Sequence, residues 1–230
     1  MKDVFDVSVV IVCMNNLKML YPCLDSICKY TTVSYETLVV AFMFSKENMV
    51  KLKNDYPWVK IIESNEYRGF SENNNLALRQ AKGRYCFVLN DDTYHNEPVI
   101  DNLVHTFDSL DKRIAILSPV TLNKDGSVQR CGKPKYNIFT YLLKLTGQIK
   151  RYENKSQYTN KEGVFKTYNI SGAAFLIRTS IFKEIGWFDE KYYFCPEDIA
   201  LSTILNKRGY ECYVDANVKL THTGGGTWSK

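Results

Sequence analysis

The chain has 230 residues, of which 45% are hydrophobic and 24% charged, with a net charge of +5. That is enough apolar material for a sizeable core in one large domain or two small ones, and it excludes a disordered or fibrous chain. No apolar run approaches bilayer-spanning length, and Met1–Asp6 carries acids without an apolar core, so neither a membrane span nor a secretion leader is expected.

The first half alternates strands and helices. Val7–Cys13 is a β-branched run of the kind buried on both faces, and it stops at Asn15-Asn16, a turn pair. Leu17–Tyr30 carries Leu20, Leu24 and Ile27 at helical spacing. Glu36–Met43 is a second strand, Ser45 opens a second helix, and Trp58–Glu63 is a third strand. Ser71 starts a helix through Ala81 that Gly83 is expected to close. Arg84–Asn90 is the fourth strand. The pattern predicts an α/β fold built on a Rossmann-like, parallel, doubly wound sheet. Neither GxGxxG nor GxxxxGK[ST] is present, so a nucleotide would be held by other means.

The second half is less regular. Pro98 opens a helix over Glu97–Leu110, and a strand follows at Ile114–Ser118. Val164–Ile170 and Gly172–Arg178 read as regular structure, and Thr179-Ser180 caps a short helix ended by Gly186. Pro196 opens a helix to Lys207; strands are expected at Glu211–Val214 and Val218–His222. The seven cysteines are odd in number and form no CxxC pair, which argues against a disulfide frame and a zinc site and fits a reducing cytosol. Cys13, Cys86 and Cys212 fall in strands as small apolar residues.

Charge is unevenly placed. Residues 124–166 hold ten basic and three acidic side chains, and the remainder is slightly negative. Such a segment attracts phosphates, anionic lipid or nucleic acid, or is a solvated face. Within it Asn137–Ile149 forms a roughly amphipathic helix. Three roles stay open for that helix: packing on the domain, a flap over an acceptor, or a peripheral membrane contact. No reader motif for nucleic acid is present, so none is expected as partner.

Three polar features stand out. Asn90-Asp91-Asp92 ends the fourth strand, where ligands bind in open α/β sheets; it is either a cation–diphosphate clamp or a solvated turn. Glu197-Asp198 follows a proline at a helix start, which the helix dipole alone explains and a proton-transfer role also fits. His222 precedes Gly224–Gly226 and is either a solvated loop residue or a ligand.

Together these blocks resemble the family two glycosyltransferases, metal-dependent inverting enzymes of the GT-A fold, and among them the rhamnosyltransferase type. The resemblance rests on seven blocks in order: Val7–Asn15, Gly69-Phe70-Ser71-Glu72-Asn73-Asn74-Asn75, Asn90–Thr93, Ser171–Arg178, Gly186-Trp187-Phe188-Asp189-Glu190, Glu197-Asp198 and His222–Gly226. It implies one domain over 1–230, with a nucleotide-binding half at 1–119 and an acceptor half at 120–230 that carries the variable basic segment 124–166. It implies a Mg2+ or Mn2+ ion on Asp92 and His222, and donor contacts from Asn15, Asn74, Asn75, Asn90 and Asp91. Asp198 would be the catalytic base and Glu197 its orienting neighbour. The donor would be dTDP-rhamnose or a UDP-sugar and the acceptor a glycan or lipid-linked hydroxyl. The setting would be cell-surface polysaccharide synthesis in the cytoplasm, at or near the inner membrane face. Two places depart: where the family's second strand ends in an acid followed by asparagine and serine or threonine, this chain has Ala41-Phe42-Met43-Phe44, and where an asparagine often precedes the glycine-phenylalanine it has Tyr67-Arg68. Two other readings are a catalytically inactive nucleotide-sugar or glycan-binding module and a sugar-1-phosphate nucleotidyltransferase; the latter lacks its glycine-rich loop at Val12–Asn15.

Overall fold

A computed structural model describes residues 5–129, 132–149, 151–152 and 162–224. Gly225 and Gly226 lie outside them, as do Arg130, Lys150, Lys155 and Lys161 of the basic segment 124–166. Strand β1 (Phe5–Met14) is central, flanked in parallel by β2 (Tyr35–Phe42) and β4 (Gly83–Asn90), with β3 (Lys60–Ser64) outside β2. Four more strands pair into the other half: β5 (Thr93–Tyr94), β6 (Ile114–Leu122), β10 (Ala174–Arg178) and β11 (Glu211–His222). Among the described residues the sheet runs β3-β2-β1-β4-β10-β6-β11-β5, and β8 (Val164–Thr167) pairs with β11 as the ninth strand. A two-stranded ribbon joins β7 (Gly132–Lys133) to β9 (Asn169–Ile170).

The sheet is mostly parallel, but β10 runs antiparallel to both β4 and β6. That strand inserts between two parallel blocks, which a doubly wound expectation does not contain. β11 is continuous where two strands were expected. Asp215-Ala216-Asn217 reads as a turn, yet it forms an irregularity in register against β6. The buried Asp215 is satisfied there, accepting from Thr106 Oγ1 at 2.9 Å and from Asn217 N at 3.0 Å.

Helices cover both faces. Alternation along β1 sends Val7, Val9, Ile11 and Cys13 to one face, where they pack on α1 (Leu17–Tyr30), α2 (Lys46–Asp55) and α4 (Val99–Ser109). Val10 faces the other way, with Cys86 and Val88 of β4, toward α3 (Phe70–Leu78), α6 (Thr179–Glu184) and α7 (Glu197–Lys207). α5 (Ile138–Leu145) belongs to neither layer. Asn16 caps α1 by accepting from Met19 N at 3.3 Å, and Ser45 caps α2 by accepting from Asn48 N at 3.1 Å.

Two expected helix ends are corrected. Gly83 does not close α3, which stops at Leu78; it begins β4. Thr179 does not cap α6 with its side chain; its hydroxyl donates to Gly83 O at 2.7 Å. Glycine is required at 83 by close approach: a Cβ there would stand 2.4 Å from Ser8 N and 2.6 Å from Val7 C. Gly83→Ala is therefore expected to destabilise the chain by about 1–3 kcal/mol, read as a lower denaturant midpoint at unchanged slope.

Candidate active site

β1, β2 and β4 present their carboxyl ends at one edge of the parallel block, where α/β sheets hold ligands. Asn90 closes β4, and Asp91 and Asp92 follow, both buried. The chain then enters β5, whose partner is the last turn of β11: Thr93 lies opposite His222 and Tyr94 opposite Thr221. Thr223 locks the junction, donating from N at 2.9 Å and from Oγ1 at 3.1 Å to the Asp92 carbonyl. This brings His222 Nε2 to 3.2 Å from Asp92 Oδ1 and 3.4 Å from Asn90 Nδ2.

The tautomer of His222 follows from its other neighbour. Gln129 Nε2 donates to the His222 carbonyl at 2.8 Å, which turns Gln129 Oε1 toward His222 Nδ1, also at 2.8 Å. Nδ1 then carries the hydrogen, and the Nε2 lone pair lies between Asn90 Nδ2, which donates to it at 3.4 Å, and Asp92 Oδ1 at 3.2 Å. Two electron-pair donors face each other across 3.2 Å, and a cation or a proton resolves that confrontation. Such bracing of a histidine from its far nitrogen is how ligand histidines are oriented. Among the described residues no three His, Cys, Asp or Glu side chains gather as a complete metal cage. A Mg2+-like ion commonly takes only one or two carboxylates and completes its shell with phosphate and water.

Asp91 lies behind this pair. Its Oδ2 has no hydrogen-bond partner among the described residues. Burial, with a smaller contribution from the charge of Asp92, pushes its carboxyl up to about 6, against a lowering by the Cys13 thiol.

The second acid pair sits at the start of α7. Asp198 Oδ2 accepts from Lys133 Nζ at 3.1 Å, and Oδ1 accepts from Ile199 N at 2.7 Å. Lys133 arrives through the pairing of β7 with β9, opposite Asn169. Glu197 is buried with Oε2 unpartnered among the described residues; burial, and then the charge of Asp198, raises its carboxyl. The two acid groups are tied by residues 172–173. Asn90 N donates to Ala173 O at 2.9 Å, and a Cβ on Gly172 would lie 3.5 Å from both Asp198 Cβ and Glu197 Oε1.

The asparagines are placed differently. Asn15 adopts φ +53°, a conformation asparagine tolerates, and its Oδ1 accepts from Ser45 N and Asn48 Nδ2, each at 2.9 Å. It ties the end of β1 to the start of α2. Asn74 Nδ2 donates back to Phe70 O at 2.9 Å inside α3. Asn75 donates to Phe188 O at 2.9 Å and Glu190 Oε1 at 2.8 Å, and accepts from Phe188 N at 3.1 Å. Its whole amide is engaged in docking the 188–190 loop on α3. Gln129 and Lys133 carry no sequence signal that separates them from their neighbours.

A sequence model of the family described as Glycosyl transferase family 2 matches residues 8–186. The chain belongs to that family. The O-antigen biosynthesis protein RfbC of Myxococcus xanthus is 23% identical over 195 residues, covering 81% of this chain and 14% of that protein. This family 2 domain thus spans about a seventh of the length of that relative. Three solved structures share its fold. GalNAc-T7 with UDP, GalNAc and Mn2+ matches at TM-score 0.73 and 18% identity, over 97% of this chain and 44% of that one. The mannosyltransferase PcManGT of Pyrobaculum calidifontis, with GDP-Man and Mn2+, matches at 0.66 and 16%, over 97% and 58%. S. aureus TarS 1–349 with UDP matches at 0.67 and 17%, over 95% and 60%. The fold is GT-A.

Asp91 sets a pH dependence for the protein without added cation. The folded chain holds the Asp91 proton more tightly than the unfolded chain, whose carboxyl titrates near the ordinary 3.8. Its contribution is fully present below about 3.8 and is lost as pH rises through about 6. Asp91→Asn is expected to raise stability at pH 7 by up to about 3 kcal/mol and to change it little below pH 4. Thermal unfolding of both proteins across that range in chelator checks this; an equal effect at both ends contradicts it.

Proposed function

We propose that this chain is an inverting, divalent-cation-dependent glycosyltransferase that moves a sugar from dTDP-rhamnose or a UDP-sugar to a hydroxyl of a glycan or lipid-linked acceptor. The observation that carries the reading is the confrontation of Asp92 Oδ1 with His222 Nε2 across 3.2 Å, joined through residues 172–173 to a separate carboxylate pair. Ligands about 2.1 Å from an octahedral ion stand roughly 3 Å apart at neighbouring corners, so the spacing suits a shared ion. Asp92 and His222 would hold Mg2+ or Mn2+ together with the donor diphosphate. When bound, the ion supplies Lewis-acid stabilisation of the leaving diphosphate.

The chain's own residues do the rest. Gln129 keeps the His222 lone pair turned to the ion site. Asp198 takes the proton of the acceptor hydroxyl as that oxygen attacks the anomeric carbon from the face opposite the diphosphate. Its place in the first turn of α7 and the ammonium of Lys133 both weaken it as a base, so proton transfer is late, after the oxocarbenium-like centre has formed. Glu197, held buried beside it and inclined to keep its proton, orients rather than accepts. Residues 1–119 form the donor half and 120–230 the acceptor half. The relative's name, an O-antigen biosynthesis protein, supports cell-surface polysaccharide as the product class. Structural neighbours with UDP or GDP-Man and, in two cases, Mn2+ support a nucleotide-sugar donor and a cation.

A thermal-shift panel of UDP-, dTDP- and GDP-sugars with Mg2+ or Mn2+ is expected to identify the donor as the compound that raises the melting temperature only with cation. With that donor, Asp198→Asn should lower transfer by roughly 10²- to 10⁴-fold while the ligand-induced shift survives. Turnover near the wild-type rate would overturn the base assignment. A donor that binds wild-type protein but is neither transferred nor hydrolysed would favour an inactive sugar-binding module.

A further inference from the structure

α5 is built inside out. Of its eight residues the buried one is Thr140, which exchanges hydrogen bonds with Asn137 in a capping box: Asn137 N donates to Thr140 Oγ1 at 2.7 Å, and Thr140 N donates to Asn137 Oδ1 at 3.1 Å. Most of its apolar side chains are exposed; Leu143 is half-buried and Phe139 packs edge-on against Tyr152, ring centroids 5.8 Å apart. Ile138, Phe139, Tyr141, Leu142 and Leu145 are between 52% and 74% exposed. A globular helix normally buries its apolar stripe and wets its polar one. Five large apolar side chains on two turns form a contiguous exposed patch, the feature that marks an interaction surface.

The charge around the patch selects the partner. From Gly126 to Tyr152 the sequence holds six basic residues and no acid. Lys135, Lys144 and Arg151, among the described residues, are exposed. A second copy of the chain would bring the same positive charge against itself. A glycan would need several hydroxyl-bonding side chains, and of the five in the patch only Tyr141 offers one. An anionic lipid surface meets both features: acyl boundary for the aliphatic and aromatic side chains, headgroup charge for the lysines and arginine. Eight residues are too few to cross a bilayer, so the helix would lie in the interface plane.

We propose that α5 and its basic flank seat this protein on an anionic membrane surface, with Ile138, Phe139, Leu142 and Leu145 inserted at the headgroup boundary. The contact is independent of donor, cation and the two acid pairs, so its failure leaves the transfer reading standing. The test is co-sedimentation of the whole chain with vesicles of equal parts phosphatidylglycerol and phosphatidylcholine, against vesicles of phosphatidylcholine alone. Wild-type protein is expected to pellet with the anionic vesicles and to be released as salt approaches about 1 M, where charges are screened beyond ~3 Å. Leu142→Ser and Leu145→Ser should each weaken partition by about tenfold. Lys144→Glu reverses one charge and should weaken it by at least about fivefold. All three sites are exposed, and circular dichroism and melting temperature verify that the variants fold. Wild-type protein that stays in the supernatant with anionic vesicles overturns the proposal. So does equal, salt-insensitive binding to both vesicle types, or self-association that the leucine variants abolish while vesicle binding persists.

Discussion

Two residue pairs hold the site together. Thr93 against His222 and Tyr94 against Thr221 are the whole of the β5–β11 pairing, and Thr223 reinforces it with two bonds to one carbonyl. The meeting of Asp92 with His222 depends on this short ladder, because it joins the end of the parallel half to the last strand of the mixed half. Without it Asp92 would end a strand as an ordinary turn acid and His222 would end another as an ordinary loop histidine. With it, residues 132 positions apart sit within 3.4 Å.

The site separates its carboxylates by environment. Asp91 and Glu197 are buried with an unpartnered oxygen each, and burial raises both. Asp92 and Asp198 instead face partners, His222 in one case and Lys133 in the other. Each adjacent pair thus contains one acid whose carboxyl burial raises and one that is paired with a basic side chain, His222 or Lys133. Burial is the larger cause in both cases, with the neighbouring carboxylate adding to it. Residues 171–174 place the two pairs in one frame, since Ala173 accepts from the end of β4 while Gly172 lies against the start of α7.

Local pattern made the parallel half legible: Val7–Cys13 is a β-branched run of the kind buried on both faces, and Leu20, Leu24 and Ile27 repeat at helical spacing. Strand direction was not legible. β10 has the composition of any buried strand, and only its neighbours make it antiparallel. The irregularity in β11 was hidden because an Asp-Ala-Asn run has turn chemistry whether the chain turns or continues. The acids and His222 were visible as polar residues at element ends, but Gln129 and Lys133 were not: one is an unremarked polar residue, the other one lysine in a basic stretch. Asn75 illustrates the reverse. The family resemblance implies a donor contact for it, while its amide is engaged with Phe188 and Glu190.

The central claim is that Asp92 and His222 form one cation site completed by a nucleoside diphosphate. The most direct measurement is titration of Mn2+ by electron paramagnetic resonance, in wild-type protein and His222→Ala, with and without UDP or dTDP. The account predicts that one of the diphosphates tightens Mn2+ binding to wild-type protein and that the variant, which lacks one ligand, loses this tightening by about tenfold or more, since losing even a ligand's supporting partner costs that much. Mn2+ binding that is the same in the two proteins, with or without either diphosphate, would contradict it.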